Sequence, residues 1–260
     1  MSLKIADLFS VSGKVVLVTG GSRGLGEIFA RAYVENGAKV YISARKAEAC
    51  DALAQELSAY GTCISLPADL SRMEEIERLA GELDAREEKL HILINNAGSS
   101  WSAKLDSFPE HGWDKVMNLN VKSVFFTTQK LMPLLAAAGT DDDWARVINI
   151  GSIEGLHVSE LDAPSYSTSK AAVIHLSRVL AAKLAPSRIA VNAVAPGYFL
   201  SKLTEGLGEE YLNGVASASR MGRLGRPEDM AGIALYLGSR ASGFVTGAVI
   251  PVDGGLATTA

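Results

Sequence analysis

The sequence predicts a doubly wound α/β domain built on a parallel sheet, and three observations carry that prediction. Short β-rich apolar runs recur along the 260 residues, segments of helical periodicity separate them, and the first run leads straight into a glycine-rich turn. Strand and helix in alternation imply right-handed crossovers with helices on both faces of the sheet, and a ligand site beyond the carboxyl ends of the strands.

The strand candidates, in chain order, are VVLV from Val15, VYIS from Val40, CISL from Cys63, HILI from His91, RVINI from Arg146, IAVNAV from Ile189 and AVIPV from Ala248. They are continuous apolar stretches rather than alternating ones, as expected of strands buried on both faces. Between them, EIFARAYVENG ends at Gly37 and AEACDALAQELSAYG ends at Gly61. SRMEEIERLAGELDAREEK opens on Ser71 with Glu74 three residues later, the spacing of a capping box. From about Phe199 to Arg226 the pattern weakens and glycines crowd, which predicts a mobile insertion or lid at about 199–226. No repeat or linker divides the chain, so a single domain is expected.

Composition narrows the function classes. The 25 basic and 29 acidic residues are spread without long runs of one sign, which gives no case for nucleic acid or an anionic membrane as partner. Lys4 and Asp7 interrupt what a signal peptide would need as its apolar core, and LMPLLAAAG from Leu131 is short and holds Pro133, so a cytoplasmic location is expected. Cys50 and Cys63 lack metal-ligand spacing and fit ordinary buried thiols. His91 at a strand start, His111 at a helix start and His175 within a helix have no carboxylates patterned around them, so no metal is expected.

Three motifs compete for the turn TGGSRGLGEIFARAY. A Walker-type phosphate loop fails because Glu27 follows Gly26 where a lysine is needed. G-x-S-x-G matches from Gly20 to Gly24 around Ser22, but a hydrolase elbow needs an oxyanion loop from a neighbouring strand, and only 19 residues lie upstream. The strict G-x-G-x-x-G fails at Phe29. Gly20, Gly24 and Gly26 instead give T-G-x-x-x-G-x-G, which lets the backbone turn tightly and approach a pyrophosphate at a helix amino terminus; methyltransferases also carry glycine-rich first loops. After the second strand no acidic residue is placed for a ribose 2′-hydroxyl; Arg45 and Lys46 stand there instead. With Arg23 from the turn they would surround a 2′-phosphate, so the cofactor predicted is NADP(H); solvated charges at a strand end are the plainer alternative.

The fifth strand candidate ends in RVINIGS, which places Ser152 at the carboxyl edge of the sheet. Tyr166 follows fourteen residues later, behind Pro164 at a helix start, and Lys170 shares its helix face at i+4. A second Tyr-x-x-x-Lys, Tyr198 to Lys202, follows the Pro196-Gly197 break, where no regular helix need align it. The first pair is therefore the candidate for proton transfer, with the lysine cation expected to lower the phenol's pKa by about 1 to 3 units.

With TGGSRGLG, Asp69 in PADL, NNAG from Asn95, Asn120 in NVKSVF, Ser152, Tyr166, Lys170, the Pro196-Gly197 pair and a terminal VDGG in this order, the chain resembles the short-chain dehydrogenase/reductase family along nearly its whole length. The resemblance implies a Rossmann-type, seven-stranded doubly wound parallel sheet in a single domain, commonly a homotetramer. It implies catalysis by Asn120, Ser152, Tyr166 and Lys170, with Ser152 holding the substrate oxygen, Tyr166 exchanging a proton, Lys170 also on the nicotinamide ribose and Asn120 placing a relay water. It further implies that the cofactor lies along Gly20, Ser22, Arg23, Gly24, Leu25 and Gly26, that Asp69 and Leu70 flank the adenine, that Asn96, Ala97 and Gly98 line it with backbone, and that Pro196, Gly197, Phe199 and Ser201 border the nicotinamide. The interval from Ser152 to Tyr166 is one residue longer than in many members.

ISARKAEAC, NNAGSSW and MGRLGRPEDM further resemble the NADPH-dependent β-ketoacyl reductases of that family, which implies a small carbonyl or alcohol substrate such as a 3-oxoacyl thioester. Candidate pocket residues are Trp101, Glu154, His157, Tyr198 and Phe199: Trp101 and Phe199 suit an acyl chain, Glu154 and His157 a polyol or sugar, and either pair could be packing. A secondary-alcohol or sugar dehydrogenase, and a cofactor-binding regulator without turnover, are the alternative functions.

Overall fold

Val15, Val16, Leu17 and Val18 are all buried, yet they face two different cores: Val16 and Val18 pack into one, Val15 and Leu17 into the other. The same division recurs in Val40 and Ile42 against Tyr41, and in Ile92 and Ile94 against Leu93. Side chains still alternate with the two-residue period of a strand, but both faces are covered, so apolar residues occupy every position.

The computed structural model describes residues 3–158, 161–200, 204–257 and 259. Its strands are β1 (Val15–Thr19), β2 (Lys39–Ser43), β3 (Thr62–Ser65), β4 (Ile92–Asn95), β5 (Ala145–Ile150), β6 (Ile189–Pro196) and β7 (Val249–Val252). They form one seven-stranded sheet in the order β3-β2-β1-β4-β5-β6-β7, parallel throughout. The winding reverses between β1 and β4, and at such a switch point the loops diverge and open a crevice.

The helices are α1 (Ile5–Leu8), α2 (Gly24–Glu35), α3 (Ala47–Leu57), α4 (Met73–Asp84), α5 (Glu110–Met117), α6 (Ser123–Ala138), α7 (Pro164–Leu184), α8 (Glu209–Ala218) and α9 (Pro227–Gly238). Phe29 and Tyr33 of α2, Leu53 and Leu57 of α3, and Met230 and Leu237 of α9 fill one face. Ile76 and Leu79 of α4, Leu131 and Leu135 of α6, and Leu180 and Leu184 of α7 fill the other. All seven strand candidates are present to within a residue or two, and the doubly wound α/β class holds.

One local expectation needs correction. The capping box at Ser71 and Glu74 does not form: α4 starts at Met73 behind Arg72, with no side-chain cap. Asp69 Oδ1 captures both the Ser71 N–H (3.1 Å) and the Ser71 hydroxyl (2.7 Å), so the serine is spent on the turn before the helix. Within the stretch 199–226, the described residues carry α8, and a parallel bridge joins Phe199 to Gly225.

Candidate active site

Four strand ends supply the site. β1 runs into Gly20, at φ +64°, and the chain turns into α2. A Cβ on Gly26 would lie 2.1 Å from the Gly20 carbonyl oxygen, so the turn closes only with bare backbone there. From the end of β4, Asn96 Nδ2 donates to the Thr19 and Gly20 carbonyls (2.9 and 3.1 Å), and Thr19 Oγ1 accepts from the Asn96 and Ala97 N–H groups (3.0 and 3.1 Å). Asn96 thus braces the glycine turn with its side chain. Arg23, Arg45 and Lys46 are exposed and, among the described residues, make no side-chain hydrogen bond or ion pair. Bare backbone at a helix start beside three uncommitted cations fits a phosphorylated dinucleotide.

At the end of β5, Ser152 caps a turn over Ile153–Gly155 by accepting the Glu154 N–H at 3.2 Å. α7 begins at Pro164, whose fixed φ and missing N–H suit a first helical position. Tyr166 and Lys170 therefore project together, with Lys170 Nζ 5.5 Å from the Tyr166 ring centroid. Lys170 is buried and donates to the Ile150 carbonyl at 2.8 Å, and burial pulls its ammonium down to about 8.

The phenol moves opposite to the sequence expectation. Burial pushes Tyr166 up to about 12; a hydrogen bond with the Ser152 hydroxyl opposes the rise and the Glu154 carboxyl adds to it. Burial outweighs the Ser152 hydrogen bond, and Lys170, 5.5 Å from the ring centroid, does not offset it.

Asn120 sits in a π-helical turn over Asn118–Lys122, between α5 and α6. Single π turns of this kind often mark functional positions in helices. Its Oδ1 accepts the Ser99 N–H (2.8 Å), and its Nδ2 donates to the Ser99 carbonyl (3.0 Å) and to Ser169 Oγ (2.9 Å). A Cβ on Gly98 would meet Asn120 Oδ1 at 3.4 Å and Lys170 Nζ at 3.6 Å, so both groups border the bare backbone at 98.

A cavity of about 370 Å³ opens over Tyr166, and Ser152, Glu154, Gly197, Tyr198 and Leu207 are in its wall. Glu154 is buried; its Oε1 accepts from the Tyr198 hydroxyl at 3.1 Å, and its Oε2 is buried with no partner among the described residues. The Tyr198 hydroxyl is also 3.0 Å from that of Tyr211 on α8.

Known proteins with this arrangement are numerous. A family model of short-chain dehydrogenase type, described as enoyl-(acyl carrier protein) reductase, matches residues 20–257. The rhamnolipids biosynthesis 3-oxoacyl-[acyl-carrier-protein] reductase of Pseudomonas aeruginosa is 49% identical over 252 residues, 95% of this chain and 97% of that protein. The chain belongs to the short-chain dehydrogenase/reductase family. Gluconate 5-dehydrogenase of Gluconobacter oxydans is 36% identical over 263 residues, covering 96% of this chain and 97% of that enzyme. The solved Pseudomonas aeruginosa RhlG/NADP active-site complex superposes with a TM-score of 0.93 at 48% identity, covering 96% of this chain and 98% of that one.

As a short-chain dehydrogenase/reductase the chain is an oxidoreductase, and the resemblance read from its motifs holds. Some pocket candidates stand elsewhere. Trp101 packs on α5, edge-on to His111 at 4.9 Å with Lys115 Nζ 5.0 Å from its ring centroid, and is not in the cavity wall. His157 is exposed, its Nδ1 3.0 Å from the Val158 carbonyl, and also stands outside that wall. Phe199 is buried in the core beside Gly225. Ser201 and Lys202 lie outside the described residues. Asp69 is half-buried and holds Ser71, and Leu70 is buried.

Sequence reasoning missed Thr19, Ser99, Ser169 and Tyr211. Ser169, three residues after Tyr166, shares the first turns of that helix; Tyr211 carries no local signal, because its partner Tyr198 is reached only through the fold.

Proposed function

We propose that this short-chain dehydrogenase/reductase uses NADP(H) to reduce a keto group, with a 3-oxoacyl thioester as the first substrate class. The observation that carries the reading is the meeting of Ser152 and Tyr166 at one cavity, with Lys170 packed on the Tyr166 ring, beside a glycine turn flanked by cations with no ion pair among the described residues. Gly20 to Gly26 and the backbone of Asn96, Ala97 and Gly98 would hold the dinucleotide, Asp69 and Leu70 its adenine, and Arg23, Arg45 and Lys46 its 2′-phosphate. Pro196 and Gly197 would border its nicotinamide end. Bound there, NADPH supplies hydride to the carbonyl carbon.

The chain's own residues handle the oxygen. Ser152 Oγ hydrogen-bonds the carbonyl oxygen and fixes its orientation, and Tyr166 gives it a proton as negative charge develops. A phenol held at about 12 keeps that proton at neutral pH, which suits the reductive direction. Lys170 places positive charge beneath the phenol ring, and Asn120 holds Ser99 and Ser169 around it. Thr204 and Leu207 stand in the wall, which supports a role for the stretch that carries them in covering the cavity.

The thioester class rests on the identity to the Pseudomonas reductase. A second reading, a polyol or sugar as substrate, is favoured by the buried carboxyl of Glu154 in the wall. The test is a carbonyl panel of 3-oxoacyl thioesters, diketones and keto sugars, followed by NADPH and NADH oxidation in parallel. NADPH oxidation with at least one 3-oxoacyl thioester is expected. Tight nucleotide binding without turnover of any carbonyl would leave a sensor rather than an enzyme.

A cytoplasmic homotetramer belongs to the same reading. Among the described residues no helix is long and apolar enough to cross a membrane, and Phe125, Met132 and Val179 on α6 and α7 leave apolar surface for a partner copy.

A further inference from the structure

Glu154 carries a buried polar atom that no described residue satisfies. The residue is only 6% exposed, one oxygen is bonded to Tyr198, and the other is buried without a partner among the described residues. Buried carboxyl oxygens are ordinarily hydrogen-bonded, because each lost contact with water has to be replaced. The arrangement is nonetheless well held. The Ser152 cap fixes the Glu154 backbone, Tyr198 fixes Oε1 from the exit of β6, and Tyr211 on α8 backs the Tyr198 hydroxyl at 3.0 Å. Three elements thus converge to aim one carboxyl at the cavity that holds Ser152 and Tyr166.

We propose that Glu154 is a specificity-determining residue: its free Oε2 accepts a hydrogen bond from an O–H or N–H of the substrate, close to the carbonyl being reduced. The inference rests on the carbonyl-reductase reading of the same cavity. A carboxylate can only accept, so the matching group must be a donor. Glu154 and Asp162 in the cavity wall would repel an anionic substrate group there. Two sources offer this chemistry: a hydroxyl on the carbon skeleton of the ketone, or the amide N–H of the pantetheine arm of an acyl thioester. In either case, a substrate lacking the donor leaves Oε2 buried and unpaired during turnover, and such sites discriminate strongly.

The test compares matched substrates with the wild-type enzyme and NADPH. One pair is a hydroxylated ketone and its deoxy counterpart; the other is a 3-oxoacyl N-acetylcysteamine thioester and its N-methylated amide. One pair is expected to show a preference for the donor-bearing member of about 10- to 100-fold in kcat/KM, as for a hydrogen bond to a charged group. The pair that responds identifies the source. Glu154→Met keeps the length of the side chain and leaves the Tyr198 hydroxyl its Tyr211 partner, and it should bring that ratio close to one. Equal rates within both pairs for the wild type would overturn the assignment of Glu154 and leave the reductase reading standing. So would a Glu154→Met enzyme in which both members of the responding pair fall by the same factor, the mark of a structural role. If no ketone or thioester oxidises NADPH, the reductase reading and this assignment fail together.

Discussion

Tyr166 carries two opposing demands, burial that keeps its proton on and chemistry that takes it off. With the phenol pushed up to about 12, the proton-donating form is fully present below that value and is lost only above it. Ketone reduction should therefore hold its rate between pH 6 and 7.5. Oxidation of the corresponding alcohol needs the phenolate, so its kcat/KM should climb by up to about tenfold per pH unit from 7 to 9. Lys170, held at about 8, loses its charge within that range and would flatten the upper part of the climb. A rate of oxidation already level below pH 8 would mean that the phenol is far more acidic than burial makes it. Tyr166→Phe should lower reduction by about 10²- to 10⁴-fold with NADPH affinity retained, measured by titration of nucleotide fluorescence. At the opposite end of the nucleotide cleft, Arg45 has no ion pair or side-chain hydrogen bond among the described residues, so Arg45→Ala removes a cation and breaks none of these. NADPH should bind about 10- to 100-fold more weakly and NADH nearly as before. Equal losses for the two nucleotides would dismiss the 2′-phosphate contact.

Elements differ in how much they constrain each residue, and two helical glycines make the contrast measurable. Gly26, in the first turn of α2, is packed against the Gly20 carbonyl, and Gly81 in α4 is exposed with nothing within 4 Å of an added Cβ. Gly81→Ala should raise stability by about 0.5–1 kcal/mol through helix propensity and a less disordered unfolded chain. Gly26→Ala should lower it by about 1–3 kcal/mol, because the turn must open to admit the methyl group. Urea unfolding of both variants decides the matter, and a stabilised Gly26→Ala would mean that the turn is not closed by backbone contact. This difference also explains what could be read from letters alone. The strands were legible because burial on both faces leaves unbroken apolar runs such as Ile92 to Ile94. Tyr166 and Lys170 were legible because i and i+4 share a helix face. The loss of the Ser71 cap to Asp69 was not, since both a turn and a helix start use the same residue types. Nor was the Glu154, Tyr198 and Tyr211 cluster, whose members come from the β5 turn, the β6 exit and α8 and meet only once the sheet is assembled.

The whole molecule separates its two charged centres to opposite ends of the parallel sheet. Chemistry gathers at the carboxyl ends, while the amino ends are closed by Asp143, which takes Lys14 Nζ at 2.8 Å and Arg146 Nη2 at 3.1 Å. Lys14 reaches on to the Gly238 carbonyl at 3.1 Å, so this knot ties the start of β1, the approach to β5 and the end of α9. Arg146 is only 1% exposed, and its Nε has no partner. Burial already pulls the Lys14 ammonium down, and hydrogen bonding and charge from Asp143 hold it up. Asp143→Asn keeps the shape and removes the negative charge shared by the buried Arg146 and the half-buried Lys14. Breaking such a pair costs more than the pair contributes, because the remaining charge stays buried, and about 3 kcal/mol is expected. For a chain of this length that corresponds to a fall in Tm of order 10 °C. The strands put roughly 15–20 Å between the knot and the site, so kcat/KM at 25 °C should be unchanged. Calorimetry and steady-state kinetics on the same variant test the separation. A Tm within 1 °C of wild type would show that the two cations are relieved in another way, and a changed kcat/KM would show that the two ends of the sheet are coupled.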